Sequence, residues 1–170
     1  MYNMRNLALI FLIAFTSIAQ AQRFAFVDTE KIMEQIPAYK AAQEQLDKLA
    51  EEYLKEIETL KKDLNNLLYT YQADKILLTD AMKIKREEEI EKKKTDLDKL
   101  KQQHFGENGN LFSERQKLVK PIQDKVYDAI KDVAEKGNFN LILDLASNLS
   151  IMYYDEKYDK TKDVLKKLGY

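Results

Sequence analysis

Three carboxylates stand close together near the end of the chain: Asp144, Asp155 and Asp159. Paired carboxylates do general acid–base work when an apolar cleft raises the pKa of one of them. Here Asp144 closes an apolar β-type run and Asp159 stands before a helical pattern, positions where carboxylates satisfy free backbone N–H groups. No apolar cleft is evident around them, so no catalytic residue is assigned and the chain is not read as an enzyme. Glu87 and Glu91 share a helical face at i, i+4 spacing, which suits a divalent cation. Neither has a His or Asp partner on a matching segment, so no metal site is assigned. The one histidine, His104, falls beside the apolar stripe of a helix and reads as a spacer or pH-sensitive packing residue. Lys92-Lys93-Lys94 looks like a nucleic-acid patch in isolation. Glu87-Glu88-Glu89, Glu91 and Asp96 surround it, which makes it a solvated, ion-paired helix face. The absence of Cys removes thiolate metal sites, cysteine nucleophiles and disulfides. No G-x-x-x-x-G-K-[ST] loop is present, and no cofactor is assigned.

The scaffold behind these side chains is set first by composition. The chain has 170 residues with Gly 4, Pro 2 and Cys 0. Average usage is about 7% Gly and about 5% Pro, so turn formers are scarce here. That argues against a many-stranded sandwich or barrel within one chain and favours long helices. Lys+Arg 28 against Asp+Glu 29 leaves a formal net charge of −1, with no global field toward nucleic acid or anionic lipid.

Residues 1–21 read as an export signal. Arg5 supplies a positive start, Leu7–Ile18 an apolar run too short to span a bilayer, and Ala19-Gln20-Ala21 the small residues of a cleavage site after Ala21. Cleavage removes one base and no acid, so the mature chain is slightly more acidic and is expected in the periplasm.

The mature chain opens with a short buried β-type run, Phe24–Asp28, followed by a short helix over Glu30–Ile36 that Pro37 ends. From Ala38 the pattern becomes a long amphipathic helix. Its apolar positions are Ala42, Leu46, Leu49, Tyr53, Ile57, Leu60, Leu64, Leu67 and Tyr71, a coiled-coil seam with one stutter at Tyr53–Ile57. The stretch 38–71 would span about 51 Å. After a break at 72–80, with Thr79-Asp80 as an N-cap, a second helix carries Met82, Ile90, Leu97 and Leu100 on its seam. Arg86, Lys93 and His104 interrupt that seam, so this arm packs loosely or its face does something besides pack. Gly106-Glu107-Asn108-Gly109-Asn110 predicts a kink or short break, and Pro121 a second bend within the resumed helix. Gly137 is a C-cap candidate. Phe139–Asp144 and Leu149–Tyr154 read as strands, and Asp159 as the cap of a final helix that Gly169 follows.

Together these give an α+β fold that is mainly α. Residues 38–120 form a helical-hairpin arm with its tip near 72–80. Residues 22–37 and 121–170 form a small β-containing body. A body of that size is marginal alone, and its short strands leave open edges. Pairing strands between copies answers both problems, so an obligate homo-oligomer is expected. Phe24, Phe26, Val27, Leu141, Leu143, Ile151 and Tyr153 are its candidate body residues.

Lys117-Leu118-Val119-Lys120-Pro121-Ile122, then Val126 and Ile130, then Asn140-Leu141-Ile142-Leu143-Asp144, Ile151-Met152-Tyr153-Tyr154 and Asp159-Lys160-Thr161 make a recognisable layout. With the early strand, short helix and long charged helix, the chain resembles the Skp (OmpH) family of periplasmic outer-membrane-protein chaperones. The resemblance implies a homotrimer with a shared β-barrel body and three tentacles enclosing a cavity. It implies an ATP-independent holdase for unfolded outer-membrane proteins. Well-known members are strongly basic near the tentacle tips. Here the tip sets Lys75, Lys83, Lys85 and Arg86 against Asp74 and Asp80, which speaks against contact with lipid or lipopolysaccharide.

Under that reading Tyr69, Tyr71, Ile76, Leu77, Leu78 and Met82 are candidate client contacts at the tip, against the simpler role of closing the turn. Gly106, Gly109 and Pro121 are candidate hinges. The competing function is a structural or scaffolding coiled-coil protein of the envelope, which would want a regular apolar seam on both arms.

Overall fold

The structure, a computed structural model, describes residues 23–147 and 150–170. The expected export signal, with Ala19 and Ala21, lies outside the described residues. The chain runs β1 (Phe24–Val27), α1 (Thr29–Gln35), α2 (Pro37–Asp74), α3 (Asp80–Phe105), α4 (Asn110–Gly137), β2 (Leu141–Asp144), a single 3-10 turn (Glu156–Tyr158) and α5 (Thr161–Leu168). The mainly helical α+β class expected from composition is the class observed.

Each boundary has a local cause. Asp28 caps α1, its Oδ1 accepting from the Lys31 N–H at 2.9 Å. Ile36 is extended (φ −88°, ψ 112°) because Pro37 follows it, and Pro37 then starts α2 where a missing N–H costs nothing. Thr79 caps α3, as its spacing predicts, by accepting from the Met82 N–H. The 106–110 stretch is a full break: α3 ends at Phe105 and α4 starts at Asn110. The N-cap of the last helix is Lys160, without a side-chain cap bond, rather than the expected Asp159; Asp159, one residue earlier, still accepts from the Thr161 N–H at 2.8 Å. This helix closes on Gly169 in the left-handed region (φ 92°).

Two expectations are corrected at the end of α4 and beyond. Gly137 is not the cap. It stays in the last helical turn, and Asn138 takes the left-handed conformation (φ 49°), which Asn tolerates better than most residues. The strand expected over 149–154 does not form within the chain: residues 151–154 carry no ladder, and 148–149 lie outside the described residues. Strand propensity needs a partner edge, and β1 has both of its edges in use. It pairs in parallel with β2, from Phe24↔Leu141 to Val27↔Asp144, and bridges Asp159 on its other side. β2 is also shorter than the expected 139–144.

The connection between the parallel strands is the whole helical hairpin. α2 is 38 residues long, about 57 Å. Its return path is shared by two helices: α3 runs beside its distal part and α4 beside its proximal part. α4 crosses Pro121 without interruption, so arm and body share one continuous helix.

Two apolar clusters result. The larger joins Val27, Ile32, Met33 and Ile36 with Ala42 and Leu46 of α2, Val119, Val126 and Ala129 of α4, and Val164 of α5. The smaller holds Leu64 and Tyr71 of α2 against Ile90 and Leu97 of α3. Among the described residues, no helix is long and apolar enough to cross a membrane.

Candidate functional site

The arm is built from alternating grip and slack. The expected α2 seam is the observed one: Leu64 and Tyr71 are buried, and Ile57, Leu60 and Leu67 are half-buried against the arm cluster. On α3, Ile90 and Leu97 are buried. Arg86 and Lys93, at the intervening seam positions, are only half-buried. Their long aliphatic stems cover the seam while their charges reach solvent. Arg86 spends its charge on Glu89 of its own helix at 2.9 Å. Most ion pairs of α3 are of this kind, i to i+3, and contribute little to holding the arms together.

Two polar contacts do cross the hairpin among the described residues. Near the tip, the Tyr71 hydroxyl donates to Glu87. That bond, together with burial and the nearby carboxylate charge, raises the Tyr71 pKa. Near the base, Nε2 of His104 lies 3.0 Å from Oε2 of Glu56. The residue numbers in each pair sum to nearly the same value, as antiparallel helices closing at 75–79 require. Tyr71, Glu87 and His104 each stood out in the sequence for another role, but neither pairing was expected. The signal was available in that sum rule, once the position of the turn is taken as given.

The tip cluster divides. Tyr71 is buried and Leu78 packs onto the arm core, so both close the turn. Tyr69, Ile76, Leu77 and Met82 remain outside, with Ile76 92% and Leu77 83% exposed. These four are the residues free to touch another molecule.

At the break, His104 is 5% exposed. Its ring stacks on Tyr53 with centroids 3.8 Å apart, and Phe105 meets the same tyrosine edge-on. Gly106 and Gly109 serve close approach rather than unusual dihedrals. A Cβ on Gly106 would sit 2.4 Å from the Gln102 carbonyl oxygen, and one on Gly109 would sit 2.8 Å from that of His104.

In the body, Phe26 and Val27 are buried, whereas Phe24 (41%) and Leu141 (54%) are exposed side by side at one end of the sheet. Leu143 and Ile151 are half-buried. Tyr154 packs on the Phe26 ring at 5.2 Å, while Met152 and Tyr153 point outward. Among the described residues no strand pairs with the outer edge of β2. The clustered carboxylates Asp144, Asp155 and Asp159 are all occupied by backbone donors. Asp144 accepts from the Thr29 and Ala146 N–H groups, Asp155 from Lys157 and Asp159 from Thr161. Asp144 also takes the Thr29 hydroxyl hydrogen at 2.6 Å, tying β2 to the start of α1.

A cavity of about 570 Å³ opens at the far end of the body, between α4, α5 and Phe139. Arg23, Lys136, Lys160, Lys166 and Lys167 line it, with Asp132 paired to Lys167 at 2.5 Å and Asp163 to Lys160 at 3.3 Å. Lys136, Lys166 and Lys167 lie in last helical turns, where cations answer the helix dipole. No group of three or more His, Asp or Glu side chains converges on a metal position among the described residues.

Comparison with known proteins places this geometry. Residues 23–168 match the family described as outer membrane protein (OmpH-like). The protein named Chaperone protein Skp in Yersinia enterocolitica is 27% identical over 158 residues, covering 92% of both chains. An uncharacterized protein of Aquifex aeolicus is 32% identical over 161 residues, covering 95% of this chain and 93% of its own. The crystal structure of an OmpH-like protein from Caulobacter crescentus superposes with a TM-score of 0.62 at 15% identity, covering 85% of this chain and 82% of the other. A long hairpin standing on a small parallel sheet is thus the shared fold, and this chain belongs to the OmpH-like outer membrane protein family.

Proposed function

We propose that this chain is an ATP-independent periplasmic chaperone that holds unfolded outer-membrane proteins between helical arms and keeps them from aggregating. Family membership across residues 23–168 carries the reading, together with relatives named Chaperone protein Skp aligned over nearly their whole length. The chain is exported on residues 1–21, cleaved after Ala21, and works as a homotrimer whose bodies share one β-structure. The open edge of β2, the outward Phe24 and Leu141, and the unpaired 151–154 segment support that assembly, because each is an apolar or hydrogen-bonding surface awaiting a second copy.

The chemistry of the arm suits weak, repeated contact. An unfolded β-barrel presents alternating apolar side chains, and scattered apolar positions on charged helices bind it through many small increments. Tyr69, Ile76, Leu77 and Met82 are the client contacts at the tip; Tyr71 and Leu78 support them from beneath. Release comes from the client folding in its membrane rather than from nucleotide. The half-polar seam of α3 also argues against the scaffolding alternative, which needs a continuous apolar seam.

The purified mature protein should suppress aggregation of a urea-diluted outer-membrane β-barrel protein without ATP at stoichiometric trimer. Light scattering that rises as fast as in its absence overturns the proposal.

A further inference from the structure

We infer that His104 is a latch that sets the angle of the arm on the body, an inference that rests on the holdase reading for its purpose but not for its geometry. One side chain touches all three helices that meet at the joint. It sits in the last turn of α3. It stacks on Tyr53 of α2 at 3.8 Å, with its ring 14° from parallel. Its Nε2 lies 3.0 Å from Glu56 of α2, and its Nδ1 lies 3.2 Å from Nδ2 of Asn110, the first residue of α4. A carboxylate only accepts, so the hydrogen belongs on Nε2, and Nδ1 is left to accept from the Asn110 amide. Every polar position of a buried ring is therefore used to join separate helices.

The joint would otherwise be the weak point of the arm. α2 changes partner here, from α4 below to α3 above. Its apolar seam stutters at Tyr53–Ile57, and a stutter locally unwinds helix–helix packing. The return path is interrupted by four residues, Gly106-Glu107-Asn108-Gly109. Beyond the joint, among the described residues, the small arm cluster and the Tyr71–Glu87 bond hold the two helices together. Bending at this level moves Tyr53 and Glu56 relative to α3, which breaks the stack and the Glu56 bond together. The latch holds the arm closed until a client supplies the energy to open it.

The chain has no native Cys, so paired spin labels at Gln72→Cys on the tip and Glu135→Cys on the body report one distance cleanly. The labelled chain is diluted with unlabelled chain so that distances within one protomer are read. His104→Ala should widen the tip-to-body distance distribution about twofold while the thermal unfolding of the body stays put. Glu56 and Asn110 are exposed, so the double variant Glu56→Ala/Asn110→Ala, which removes both bonds and keeps the ring, provides the reading if His104→Ala does not fold. A distribution as narrow as the parent's overturns the latch. This readout contains no client, so its failure is separate from failure of the aggregation assay.

Discussion

The body and the arm are built from the same residue types and differ in how many elements meet. Ile32 and Val164 are fully buried because strand, short helix, long helices and terminal helix converge on them. Leu64 and Leu97 have one opposing helix each, so α2 and α3 close a seam and leave their remaining faces in water. Two helices cannot enclose a side chain as five elements can. The arm therefore owes its form to continuous backbone hydrogen bonding and a thin seam, and the body to a packed core. A low-stability arm on a firmer body is what a molecule needs if the arm must yield and the body must not.

The contrast is sharpest under truncation. Ile32→Ala should cost about 4 kcal/mol, toward the upper end for such deletions, because surrounding elements cannot all collapse into the hole. Urea denaturation measures it. Leu97→Ala should cost about 2 kcal/mol, the lower end, because the seam can close and water can enter. Hydrogen exchange should place that loss in α2 and α3 distal to the joint. Equal losses at the two sites would dissolve the distinction between arm and body.

A smaller effect tests how the body holds its first helix. Burial pushes the Asp28 carboxyl up. The Lys31 N–H, the Lys31 ammonium and the Glu30 N–H more than offset this and hold it below the ordinary carboxylate range. The folded value lies below the unfolded one, so this stabilisation is complete above the unfolded value and disappears as pH falls through the folded value. Asp28→Ala should cost about 1 kcal/mol at neutral pH. Asp28→Asn should keep most of the cap and flatten the acid limb of the stability–pH curve; an unchanged acid limb contradicts the assignment. The smallest stability effect belongs to the tip. Ile76→Ser with Leu77→Ser should change the unfolding free energy by less than about 0.5 kcal/mol, since both side chains are already in water. The same double variant should lose client protection in the aggregation assay. Retained protection would return the tip apolar residues to a local role.

Much of this was legible in order. The spacing from Ala42 to Tyr71 predicts the α2 seam, and Thr79 marks the start of α3, because helix periodicity and caps are local properties. Residues 151–154 misled for the converse reason. Alternating apolar residues state a preference for strand, but a ladder needs a partner, and among the described residues 151–154 pair with neither β1, whose edges are taken, nor the open edge of β2. Asn138 displaced Gly137 as the cap because one residue of helical overrun is decided by how Phe139 and Asn140 dock beside Arg23. The tip cluster was legible only as a group. Which of its members face inward depends on the rotation of α3 against α2.

The sequence by itself determined the helices, their order and the scarcity of turns. Each follows from short-range rules or from composition. Only the tertiary structure decided that β1 and β2 pair in parallel around the entire hairpin, that Asp144 spends its oxygens on α1, and that His104 meets Tyr53, Glu56 and Asn110 at one point. Those contacts join residues far apart in the chain, and their positions depend on lengths and rotations accumulated over whole helices, which no local pattern records.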